Sequence, residues 1–91
     1  MTSARKLTIK GRVQGVYYRD STKQKALELG LKGWVRNLSN GDVEALIIGD
    51  ESNINKMIRW AWEGPTLAIV RDVKVEIVDQ KEDIFTFYVR H

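Results

Sequence analysis

Apolar residues recur along this chain in two rhythms: every second position in some stretches, every third or fourth in others. Leu7-Thr8-Ile9 alternates and predicts a first strand over Lys6–Gly11. A polar, helix-compatible run follows from Tyr18 or Arg19 to Leu29, with Thr22, Ala26 and Leu29 on one face. Gly30 is a natural residue to end it. Leu31, Trp34 and Val35 mark a second strand, Leu31–Asn37. Asn40-Gly41 then separates it from a third, Asp42–Gly49, and Asn-Gly between two such runs signals a hairpin. The clearest helical stripe comes next: Ile54, Met57, Ile58, Ala61 and Trp62 share one face. Asp50 suits its N-cap, and Gly64-Pro65 ends it. A fourth strand over Ala68–Asp79 aligns Val73, Val75 and Ile77. A fifth over Ile84–Arg90 aligns Phe85, Phe87 and Val89.

The order is β-α-β-β-α-β with a possible split or extension of the fourth strand. It predicts an α+β, ferredoxin-like sandwich: an antiparallel sheet with two helices on one face. Residues 1–91 form a single domain, since 91 residues leave no room for a second. Such a chain buries somewhat over ~60% of its unfolded surface, so one core is feasible without staples. Trp62, on the apolar stripe, is expected in the core; Trp60 falls off the stripe and is expected to be partly exposed.

Composition narrows the chemistry. The chain has no Cys, which excludes disulfides and thiolate zinc sites. Its only His is the last residue, His91. No N-terminal apolar run has signal-peptide length, and no segment approaches the ~20 residues of a membrane span. The expectation is a cytoplasmic protein with no membrane partner. The net charge of +3 hides an asymmetry: residues 1–40 hold nine Lys or Arg against two Asp or Glu, and the rest is acidic on balance. A basic first half favours an anionic ligand there.

One loop in that half stands out: Gly11-Arg12-Val13-Gln14-Gly15-Val16-Tyr17-Tyr18-Arg19. It joins a strand end to a helix start, where backbone N–H groups and the helix dipole favour an anion. Gly11 and Gly15 permit positive φ and close approach of a ligand. Arg19 closes the loop with a fork of donors suited to phosphate or carboxylate. No Cys or P-loop Lys-Ser/Thr pair accompanies it. This suggests attack by water on a bound phosphoryl group, or plain anion binding. On residues alone, a simple turn explains the loop too. Asn37, at the end of the second strand, likewise has two readings: an amide that holds a water by one hydrogen, or a cap on the Asn40-Gly41 turn.

The two constellations together resemble the acylphosphatase family. The first signature reads Ile9 to Arg19. The second reads Gly33-Trp34-Val35-Arg36-Asn37, then Gly41-Asp42-Val43, then Gly49, and the Gly64-Pro65 break fits as well. The resemblance spans nearly the whole chain. It implies hydrolysis of acyl phosphates to a carboxylate and inorganic phosphate, by a monomer with no cofactor, metal or nucleic acid. It assigns Arg19 to the phosphoryl group, helped by loop amides at Val13, Gln14, Gly15 and Val16, and Asn37 to the attacking water. One position departs: the residue before the loop arginine is normally Phe or Met, and here it is Tyr18, whose hydroxyl needs a partner if buried. Three rivals compete with this reading, one of them a family member that binds phosphate but has lost activity, against which the intact Arg19 and Asn37 argue. A nucleic-acid-binding module would carry aromatics on strands one and three, which have none. A module of a larger maturation enzyme would bring further, cysteine-bearing domains.

Overall fold

The computed structural model describes residues 2–79 and 83–91. Its elements run β1 (Thr2–Arg12), α1 (Tyr18–Glu28), β2 (Lys32–Asn37), β3 (Val43–Asp50), α2 (Glu51–Glu63), β4 (Ile69–Ile77) and β5 (Phe87–Val89). The strands form one sheet in the order β4-β1-β3-β2-β5. β1 runs antiparallel to both β3 and β4, and β2 antiparallel to β3, as the pattern predicts. β5 pairs parallel to β2, through Gly33, Trp34 and Val35, so the sheet is mixed at that edge.

Period two decides the buried face. Leu7 and Ile9 of β1, Val35 of β2 and Val43, Ala45 and Ile47 of β3 turn toward the helices and are buried. Ile54, Met57 and Ala61 of α2 meet them, as does Ala26 of α1. α1 lies over β2 and β5, and α2 over β4, β1 and β3. No helix among the described residues is long and apolar enough to cross a membrane.

Several expectations need correction. β1 begins at Thr2 rather than Lys6, because Thr2 to Arg5 pair with β3 by backbone bonds that require no apolar alternation. Of the β4 stripe, only Val73 is buried. Val75 and Ile77 are exposed because β4 is an edge strand with a neighbour on one flank only. Phe85 lies outside β5 and is 83% exposed, while Phe87 is buried. Trp62, expected in the core, is 48% exposed. Trp60 is partly exposed as expected, packed against the core with its ring 5.6 Å from that of Tyr18. α1 sits beside the Trp60 flank of α2, and the described residues place no further helix on the other.

Candidate active site

The loop between β1 and α1 is pinned from three sides. Val13 and Val16 bury their side chains in the core. Gln14 crosses to the β2–β3 turn, where its Nε2 donates to the Leu38 carbonyl at 2.7 Å and the Asp42 carbonyl at 2.8 Å. Between these anchors the backbone takes two left-handed residues, Gly15 at φ 74° and Tyr17 at φ 62°. Gly15 faces open space: a Cβ built there would meet no atom within 4 Å. Gly11 serves differently from the expectation. A Cβ there would overlap the Ile69 carbonyl, so its missing side chain admits β4, at the irregularity in the β1–β4 ladder, rather than a ligand.

The loop backbone has donors to spare. Among the described residues, no backbone hydrogen bond outside the helices and strands takes an N–H of residues 13–17 as donor. These groups precede the first turn of α1, whose own leading N–H groups lack intrahelical partners by geometry. Aligned peptide dipoles add partial positive charge at that end.

The loop opens onto a cleft of about 360 Å³ lined by Val13, Gly15, Tyr17, Arg19 and Asn37, with Tyr18 and Asp20 completing the wall. Arg19 and Asn37, far apart in the chain, thus share one space. No carboxylate pairs with Arg19 among the described residues; its one polar contact is Nη1 to Nδ1 of His91, at 3.4 Å. With its proton on Nε2, that imidazole accepts from the guanidinium. Asn37 ends β2, and its buried Oδ1 has no hydrogen-bond partner. The turn-capping alternative falls to Asn40 instead, whose Oδ1 accepts from the Asp42 amide at 3.0 Å. A half-turn of the Asn37 amide exchanges donor and acceptor at the cleft.

Gln14 and Val16 do not line the cleft; Gln14 ties the loop to the β2–β3 turn, and Val16 buries its side chain in the core. Tyr17 and His91 join the site without a signal in the sequence: nothing in the chain order brings residue 91 to residue 19. Among the described residues, no group of three or more His, Asp or Glu side chains gathers as a metal site. A larger hollow of about 650 Å³ lies at the opposite end of β1, around Thr2, Arg5 and Lys32, and contains neither Arg19 nor Asn37.

Tyr18 resolves the one departure from the motif. It is buried, and its hydroxyl donates to the Ala61 carbonyl at 2.6 Å. That carbonyl lies in the last turn of α2, where no intrahelical donor remains. Burial pushes the Tyr18 phenol well above its ordinary range, so it stays protonated and donating.

A family model described as Acylphosphatase matches residues 5–89. An acylphosphatase of Nitrosococcus oceani is 51% identical over 90 residues, spanning 99% of this chain and all of that one. Among solved structures, an acylphosphatase from Coxiella burnetii superposes with a TM-score of 0.92 at 44% identity, over 98% of this chain and 93% of that one. The acylphosphatase from Bacillus subtilis does so with a TM-score of 0.94 at 28% identity, covering both chains in full.

Proposed function

The chain belongs to the acylphosphatase family and has that family's hydrolase function, and from this premise we propose how its own residues perform the reaction. The phosphoryl group of an acyl phosphate sits on the N–H groups of Val13, Gln14, Gly15 and Val16, with the Arg19 guanidinium against its oxygens. Asn37 holds a water through its carboxamide, opposite the leaving carboxylate. The water oxygen attacks phosphorus. The bond from phosphorus to the acyl oxygen breaks, and its electron pair leaves with the carboxylate. A water proton passes to a phosphoryl oxygen, which makes inorganic phosphate.

This division of labour suits the groups available. Positioning and electrostatic stabilisation are the main demands of phosphoryl transfer. A carboxylate is a good leaving group, so no strong general acid is needed. A neutral amide cannot act as a base at ordinary pH, but it can orient water.

The observation that carries the proposal is the cleft itself. Arg19, Asn37 and an unspent run of backbone donors open onto one space. Benzoyl phosphate hydrolysis in the presence of a chelator tests it. Turnover should persist with chelator and yield benzoate and phosphate in equal amounts. Activity lost to chelation and restored by Mg²⁺ or Zn²⁺ would overturn the mechanism. The substrate is a small molecule. The same reading makes the protein a cytoplasmic monomer that binds no nucleic acid, which sedimentation and a filter-binding assay would check.

A further inference from the structure

The cleft also bears on which acyl groups are accepted. If the phosphoryl group sits on the loop amides and Arg19, the acyl portion must project away from them, toward the mouth. Little of the wall there can receive a carbon chain. Val13 and Tyr18 line the cleft but are buried, with 1% of their surface exposed in each case. Gly15 offers only backbone. Arg19 is engaged by the phosphoryl group and Asn37 by the attacking water, and Asp20 is an exposed carboxylate. Tyr17 is left, with 76% of its surface exposed.

The backbone beneath that ring is unusual. Tyr17 is the one non-glycine residue with positive φ among the described residues, at φ 62° and ψ 24°, immediately before α1. A bulky residue rarely occupies this region, and such conformations concentrate where surrounding structure enforces them. Here the buried Val16 precedes it and the buried Tyr18 follows, so the chain between them has little freedom. The backbone thus directs the large side chain out of the core, and Tyr17 is among the residues lining the cleft.

We propose that the Tyr17 ring is the contact surface for the acyl group, and that it makes aryl acyl phosphates better substrates than short alkyl ones. The inference rests on the phosphoryl placement proposed above. A planar aryl group finds an offset or edge-to-face partner in the ring, whereas an acetyl group is too small to reach it.

The test compares benzoyl phosphate with acetyl phosphate in the parent protein and in Tyr17→Ala, Tyr17→Gly and Tyr17→Phe. In the alanine and glycine variants the ratio of kcat/KM for benzoyl over acetyl phosphate should fall about fivefold, the scale of one aromatic pair. Tyr17→Phe should keep the parental ratio. Alanine and glycine should agree, because the ring and not the backbone strain sets the preference. Competitive inhibition by inorganic phosphate should stay within about twofold of the parent, as the anion contacts remain. An unchanged ratio in Tyr17→Ala would overturn the inference. So would a fall in both substrates alongside weakened phosphate inhibition, which would trace the effect to loop geometry. A parent that hydrolyses neither substrate would bring down the underlying mechanism as well.

Discussion

Two regions of this molecule treat their polar groups in opposite ways. On the helix-free face of the sheet, charges are matched. Arg36 Nη2 meets Glu44 Oε1 at 2.7 Å and also lies over the Trp34 ring, 5.4 Å from its centroid. Lys10 Nζ meets Asp42 Oδ2 at 2.7 Å, and Lys6 lies between Glu44 and Glu76. In the cleft, among the described residues, Arg19 has only the His91 ring, Asn37 keeps a buried oxygen unpaired, and the loop amides bond to no backbone acceptor. Folding normally satisfies buried polar groups. Capacity left over in one place, and nowhere used by the fold, is capacity for a ligand.

The largest break in that contrast should come from Arg19→Ala. Removing the cation and its donors should cost about 10³-fold in kcat/KM, the upper range for a lost oxyanion donor, and should weaken inhibition by inorganic phosphate. Equal phosphate affinity in parent and variant would mean that Arg19 does not touch the anion. Asn37→Ala should follow, with kcat down about 10²-fold while phosphate still binds, since an interaction made mainly in the transition state lowers kcat and kcat/KM together. A fully active variant would dismiss the water-positioning role. Asn37→Asp should not restore activity, because its charge repels the anionic substrate at short range.

Tyr18 stands on the border between the two regions, and its hydroxyl is spent on structure. Tyr18→Phe should lose about 1–3 kcal/mol in urea unfolding, the cost of leaving a buried carbonyl unpaired. An unchanged midpoint would mean that the Ala61 carbonyl finds another donor. The smallest effect belongs to the matched face. Arg36→Ala should cost less than about 1 kcal/mol, since the pair is partly exposed and screened. A loss of activity as large as that of Arg19→Ala would erase the distinction drawn here.

Much of this was legible in the chain because the signals that matter are local. Alternation located the middle of β1 and the start of β3, the apolar Leu31, Trp34 and Val35 marked β2, the i, i+3, i+4 stripe located α2, and Asn40-Gly41 located the hairpin. The loop and Asn37 were visible as residue types suited to an anion and a water. What escaped depends on neighbours that periodicity does not record. Trp62 has the spacing of the α2 stripe but is 48% exposed. Val75 and Ile77 have strand spacing but lie at the sheet edge. Gly11 looks like Gly15 in sequence, yet one is approached by β4 and the other by nothing. The parallel β5 pairing and the His91 contact both join residues remote in the chain.

The unspent amides have a consequence for hydrogen exchange. Exchange rates usually follow mobility, because an amide must leave its acceptor before it can react with solvent. Residues 13–17 should invert that rule. They are held by two buried valines and by the Gln14 bridge, yet their N–H groups have no backbone acceptor to leave. In the free protein they should exchange among the fastest amides despite a well-anchored backbone. Phosphate should slow them selectively, with the β3 amides unmoved, so that deuterium uptake maps the anion site without any substitution.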